Sequence, residues 1–193
     1  MGTATVQVYC AISLDGYIAG EDDDLSWLEQ EPAEAEPGFI DFASFMAQTG
    51  AMLMGRRTYD AVMAMGVAWP YGDTPVEVVT HRPLGDAPPA VRSIKGEVAD
   101  LIAAARARAG EKNVYLDGGS LISQALDAGL VDELILTRIP ILLGAGVPLY
   151  QGEMRHRFRV EPLGRMGEML QTRLDRPRSS AQWSCRRGPR GDR

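Results

Sequence analysis

The stretch from 114 to 140, VYLDGGSLISQALDAGLVDELILTRIP, constrains the fold more than any other part of the chain. Residues 114–116 read as a short buried strand. Gly118 and Gly119 then turn the chain where a side chain would collide with a closely approaching backbone or ligand. Ser120 is placed to cap a helix whose apolar residues, Leu121, Ile122, Ala125 and Leu126, recur at helical spacing. Gly129 is the expected stop just beyond it, and residues 133–139, rich in Leu and Ile, read as a second strand. Strand, short helix, strand with no room for a hairpin is a βαβ unit, so the two strands should run parallel with a right-handed crossover. Such a unit brings bare backbone N–H groups and the positive end of a helix to the C-terminal edge of its sheet, where a phosphate can bind. Two glycines that merely make a tight turn would give the same letters.

At 193 residues the chain suits one domain. Its apolar runs are too short to span a bilayer and no charged-then-apolar leader opens it, which points to a soluble, cytoplasmic protein. A net charge of -6 speaks against general nucleic-acid binding. Cys10 and Cys185 are too few for a disulfide framework, and Cys10 alternates with Val6, Val8 and Ile12 as a core thiol would. His81 and His156 stand alone, with no metal-ligand cluster around either, and no nucleophile motif is present.

Residues 3–12 alternate like a first strand. Residues 13–27 read as a long loop ending on Trp27, of the kind that serves as a lid or binding loop, with a solvated acidic face at 21–24. After an acidic connector at 29–38, residues 39–48 read as a helix with Phe39, Phe42 and Met46 on its apolar stripe and Phe45 beside it. Asp41 in its first turn has two readings. It either complements the positive helix end, or is a carboxyl partly sunk among aromatics, with a raised pKa, able to bind or protonate a nitrogen heterocycle. Residues 51–54 form another strand, followed by Gly55, Arg56, Arg57 and Thr58 and a helix. The two arginines are either a solvated pair at the helix start or, since that position is unfavourable for cations, the mark of a bound anion. Residues 76–80 form a strand followed by His81 and Arg82, and 98–109 a helix stopped by Gly110. An apolar run broken by glycines follows Pro140. Residues 157–163 and 168–176 suit a terminal antiparallel hairpin, and 177–193 a flexible basic tail. If the strands are parallel, the junctions at 55–58, 80–82 and 118–121 share one sheet edge and suit a dinucleotide, with Arg56, Arg57 or Arg82 on an extra ribose phosphate. The G-x-G-x-x-G fingerprint is absent, so a Rossmann fold is not expected.

Taken in order, AISLDGYIA at 11–19, MGRRTY at 54–59, VTHRP at 79–83, DGGSL at 117–121, LVDEL at 130–134 and the run 140–149 resemble the dihydrofolate reductase superfamily. The likeness is to the bacterial proteins grouped with the reductase domain of the riboflavin-biosynthesis deaminase–reductase. The resemblance implies a dihydrofolate reductase-like α/β/α domain over 1–176, with a mixed, mostly parallel sheet, a C-terminal hairpin and an NADPH site. It places the Ala11 and Ile18 backbones at the nicotinamide carboxamide, and Gly55, Arg56, Arg57 and Thr58 at the pyrophosphate and 2′-phosphate. Thr80, His81 and Arg82 fall at the adenine ribose end, and Gly118, Gly119, Ser120 and Leu121 at the pyrophosphate. Asp41 takes the place of a substrate-binding carboxylate supported by Thr137, with Tyr17, Trp27 and Phe45 enclosing the pocket. The implied activity is NADPH-dependent reduction of a pterin- or pyrimidine-like heterocycle, of the dihydrofolate or 5-amino-6-(5-phosphoribosylamino)uracil reductase type. Tyr17 stands where the riboflavin-type reductase usually has lysine, the segment 55–58 departs from its G-x-G-T, and Ser26-Trp27 departs from the Pro-Trp of folate reductases. The cofactor is therefore better supported than the substrate. A non-catalytic nucleotide sensor or a dimeric scaffold, joined through the strands after Pro140, is the alternative.

Overall fold

The computed structural model describes residues 4–29 and 33–177. The basic tail expected after residue 177 lies outside them, as do residues 30–32 of the connector. In chain order the strands are Val6–Ile12 (β1), Tyr17–Ala19 (β2), Thr49–Gly55 (β3), Val76–Val79 (β4), Val91–Ile94 (β5), Asn113–Asp117 (β6), Glu133–Arg138 (β7), Val147–Pro148 (β8), Arg159–Met166 (β9) and Met169–Asp175 (β10). The α-helices are Phe42–Ala47 (α1), Arg56–Ala64 (α2), Val98–Ala109 (α3) and Gly119–Asp127 (α4).

Eight strands form one sheet in the order β5-β4-β3-β6-β1-β7-β10-β9. The first six are mutually parallel, β10 runs antiparallel to β7, and β9 antiparallel to β10. This is the mixed, mostly parallel sheet with a terminal hairpin that the sequence leads one to expect. Composition explains the order. AMLM within β3 and LIL within β7 are buried at every position, as strands covered on both faces must be. β9 carries Arg159, Glu161, Pro162 and Arg165 and lies at an edge, where charge and proline discourage further pairing. β6 and β7 are parallel, as the βαβ reading requires, but β1 is inserted between them.

Helices cover both faces. α3 and α4 pack over Val6, Val8, Leu53, Leu116 and Leu134 on one side. Phe45 of α1 and Tyr59 of α2 pack over Met52, Met54, Tyr115 and Ile135 on the other. Helix α3 spans the range its periodicity predicts and ends at Gly110, whose φ is 64°.

Three local expectations need correction. Residues 13–27 are not all loop, because β2 forms within them and pairs antiparallel with β8. The acidic residues Glu21, Asp22 and Asp23 follow β2 as a tight turn whose backbone is left-handed at Asp22 and Asp23. Helix α1 begins only at Phe42, and Asp41 is its cap rather than part of its first turn. Ser120 does not cap α4. Gly118 holds that position at φ 103°, and Ser120 sits in the first turn, where its hydroxyl accepts from the Gln124 amide at 3.3 Å.

Candidate active site

Because β3, β4, β5 and β6 are parallel, the residues that follow them emerge along one edge of the sheet. Gly55, Arg56, Arg57 and Thr58 stand there, with Thr80, His81 and Arg82, then Lys95, then Gly118, Gly119, Ser120 and Leu121. Two of these turns meet. A Cβ on Gly118 would lie 2.9 Å from Thr58 Oγ1 and 3.3 Å from Gly55 N, and the residue's positive φ also demands glycine. A Cβ on Gly119 would lie 2.9 Å from the Pro148 carbonyl oxygen and 3.4 Å from Ile18 Cδ1. The β2–β8 pair therefore rests directly on the start of α4. Ala11 lies near the end of β1, in register with Thr137 of β7.

α2 and α4 both start from a glycine, and no side chain caps either start. The N–H groups of their first turns and the positive helix ends are thereby left to an anion. At the β4–β5 end of the rim an open groove of about 530 Å³ is lined by Thr80, His81, Arg82, Ser93 and Lys95. His81, Arg82 and Lys95 are exposed there. This donor set suits an elongated ligand with a diphosphate at its middle and a further phosphate at one end. Ser93 and Lys95 are not singled out by the sequence motifs. Their signal was present, since they close a strand parallel to its neighbours.

Arg56 and Arg57 are engaged by the chain itself. Arg56 Nε donates to Asp60 at 2.7 Å, and one Nη donates to the carbonyls of Arg82 at 3.3 Å and Pro83 at 2.8 Å. Arg56 thus positions the groove by tying α2 to the turn after β4, in place of offering its fork to a phosphate. Arg57 Nε pairs with the Asp23 carboxylate at 2.6 Å. Arg82 remains largely exposed, with a 3.4 Å contact to Asp60.

The sharper expectation for Asp41 does not hold. Asp41 is exposed; its carboxylate accepts the Ser44 N–H at 2.7 Å and the Ser44 hydroxyl at 2.9 Å. These bonds favour the charged form and hold its pKa below the usual value. Thr137 is buried and accepts from Gln171 Nε2 at 3.1 Å; the Gln171 amide in turn binds the Ile40 N–H and C=O at 2.8 and 3.0 Å. Thr137 is linked toward Asp41 through Gln171 and the Ile40 backbone. Phe45 is framework, stacked on Tyr9 at 4.5 Å and edge-on to Tyr115 at 5.0 Å. Trp27 is likewise buried, with Ile139 and Met169, so neither lines an open pocket. Tyr17 is partly exposed, and its hydroxyl donates to the Gly144 carbonyl at 3.3 Å.

The carboxyl with the sought properties is Asp117, which in the sequence stands only as part of a motif. It ends β6 and accepts the Gly118 N–H at 2.8 Å. The Tyr115 hydroxyl lies 3.2 Å from its other oxygen and 2.9 Å from the Tyr9 carbonyl oxygen. Loss of water pushes the Asp117 pKa up to about 6, outweighing the downward pull of these bonds. Burial, reinforced by this negative charge, raises the Tyr71 and Tyr115 phenols. An acid closing an apolar strand just before two glycines was the signal. Among the described residues no group of His, Cys, Asp and Glu could hold a metal ion, and no helix is long and apolar enough to cross a membrane.

Residues 4–171 match the family model of the RibD C-terminal domain, and the chain belongs to that family. YwjB of Bacillus subtilis, an uncharacterized protein, is 32% identical over 144 residues, which cover 74% of this chain and 80% of YwjB. The crystal structure of a "Putative riboflavin biosynthesis protein" from Shewanella sp. PV-4 matches with a TM-score of 0.77 at 36% identity, over 90% of this chain and 99% of that one. Dihydrofolate reductase from Enterococcus faecalis, solved in complex with NADP(H), shares the fold with a TM-score of 0.57 at 16% identity, over 89% and 96% of the two chains. The dihydrofolate reductase-like fold expected from the sequence is the fold found.

Proposed function

We propose that this protein is an NADPH-dependent reductase that delivers hydride to a C=N or C=O bond of a pterin- or pyrimidine-like heterocycle. The observation that carries the proposal is the rim on which two uncapped, glycine-started helices and a cationic groove follow parallel neighbouring strands. Family membership and the fold shared with a reductase solved with NADP(H) support it. The first turns of α2 and α4 would hold the diphosphate, and His81, Arg82 and Lys95 the phosphate that separates NADPH from NADH. When bound, the nicotinamide supplies the hydride. The chain supplies orientation, exclusion of water and a proton for the reduced product.

Asp117 is assigned that proton because it ends β6 on this rim, at the turn into α4, and loss of water holds its carboxyl pKa up to about 6, within reach of neutral pH. While Asp117 is protonated, Tyr115 can donate to the Tyr9 carbonyl; once Asp117 is charged, the Tyr115 hydroxyl can turn to it. NADPH should bind at least about tenfold more tightly than NADH, a difference of about 1.4 kcal/mol. The Asp117→Asn variant should bind NADPH as the parent does and lose turnover by about 10²–10⁴-fold across a panel of pterins and aminopyrimidines. The parent's turnover should fall as pH rises through 6. Equal affinity for the two cofactors would overturn the phosphate assignment, and undiminished turnover of Asp117→Asn the proton donor.

A further inference from the structure

We infer that Asp23 is a built-in competitor for the ligand's phosphate: it pairs with Arg57 at the start of α2 and must be displaced before an anion can use that arginine. The inference rests on the reading of this rim as a phosphate-binding site. It starts from a cation in an unfavourable place. Arg57 lies in the first turn of α2, where the helix end is positive and no side chain caps the N–H groups. A guanidinium there needs an anion beside it. The chain provides its own, with Asp23 Oδ1 at 2.6 Å and Oδ2 at 2.7 Å from Arg57 Nε.

The turn that delivers Asp23 is held against its own preference. Asp22 and Asp23 have φ of 55° and 62°, and every other described residue with positive φ is a glycine. Two consecutive L residues in this region are rare and persist where the surroundings enforce them. The bond across the base of the turn, Gly20 N–H to the Asp24 carbonyl at 2.8 Å, and the Asp24 carboxylate on the Ser26 N–H at 3.0 Å close it as a small unit. Below it β2 is fixed to β8 and Ile18 lies against Gly119. The ion pair to Arg57 joins the tip of this unit to the helix, and both partners keep solvent access. An arriving phosphate would take over Arg57, release Asp23 and let the turn relax. In the other direction, return of Asp23 would help expel the ligand. Glu21 and Asp22, exposed beside it, add like-charge repulsion.

The test is titration with NADPH of the parent, Asp23→Asn and Asp22→Asn, the last removing the same charge one residue away. Asp23→Asn should tighten binding by about three- to tenfold, and Asp22→Asn by less than about twofold. Arg57→Ala should weaken binding and abolish the gain from Asp23→Asn in the double variant. No gain, an equal gain from Asp22→Asn, or a gain that survives Arg57→Ala would each overturn the inference. If no variant binds NADPH, the cofactor assignment fails and inorganic pyrophosphate becomes the probe. Tighter pyrophosphate binding by Asp23→Asn would then sustain the competitor, and its absence would end it.

Discussion

At Asp117 the cost of losing water exceeds the help of two hydrogen bonds, and the pKa rises to about 6; at Asp41, exposed and twice bonded to Ser44, it falls. The same side chain holds its proton toward neutral pH in one setting and caps a helix in the other. The raised value also bears on stability. Folded Asp117 holds its proton more tightly than the unfolded chain, whose aspartates titrate near 3.8. Its unfavourable contribution is therefore absent below about pH 4 and grows as pH rises to about 6, by roughly 1.4 kcal/mol for each pH step of one between those values. Urea unfolding of the parent and of Asp117→Asn between pH 4 and 7 should show the parent losing on the order of 2 kcal/mol relative to the variant as pH rises. Parallel curves would mean that Asp117 ionises freely in the fold.

The short strands β2 and β8 show what holds an element that has little pairing of its own. Asp15 accepts the N–H groups of Leu143 at 3.2 Å and Gly144 at 2.7 Å and the Ser13 hydroxyl at 2.6 Å. The Ser13 hydroxyl and these N–H groups pull its pKa down to about 2. Ser13 Oγ also accepts the Tyr17 N–H at 2.9 Å, and Gly146 backs onto the Ala19 carbonyl so closely that no side chain would fit. These contacts clamp the turn after β1 to the run after Pro140 and so set the wall that Ile18 and Pro148 present to Gly119. Asp15→Ala should raise amide hydrogen exchange at Leu143 and Gly144 by at least about tenfold and leave α3 unchanged. Protection equal to the parent's would show that the clamp resides in the glycine packing.

For the whole molecule, the edge of the sheet must stay fastened if the groove after β4 and β5 is to keep its shape. Glu77 of β4 does this while 1% exposed. It pairs with Arg92, its neighbour in register on β5, and with Arg108 Nε of α3 at 3.1 Å. A buried charge is costly unless it is paired; both arginines bind Glu77 Oε1 from positions open to solvent, so removing the charge leaves them paired with water alone. Glu77→Gln should lower the unfolding free energy by about 1–3 kcal/mol by urea titration, with NADPH affinity within about twofold of the parent. A neutral effect on stability would mean that both arginines are satisfied by water.

Much of this architecture is written locally. The period of Val98, Leu101, Ile102 and Ala105 suffices for α3, the apolar run of β3 for a strand covered on both faces, and the two glycines for the turn into α4. Each depends on residues within a few positions of one another, and periodicity and backbone sterics act over that range. That β1 would separate β6 from β7, that β2 would find β8, that Arg57 would find Asp23 and that Asp117 would lose water depended on partners far along the chain. The letters alone determined which turns bear glycine and positive charge. Only tertiary packing decided which of those charges remain available and which carboxyl holds a proton, because desolvation and ion pairing are set by what surrounds a group in space.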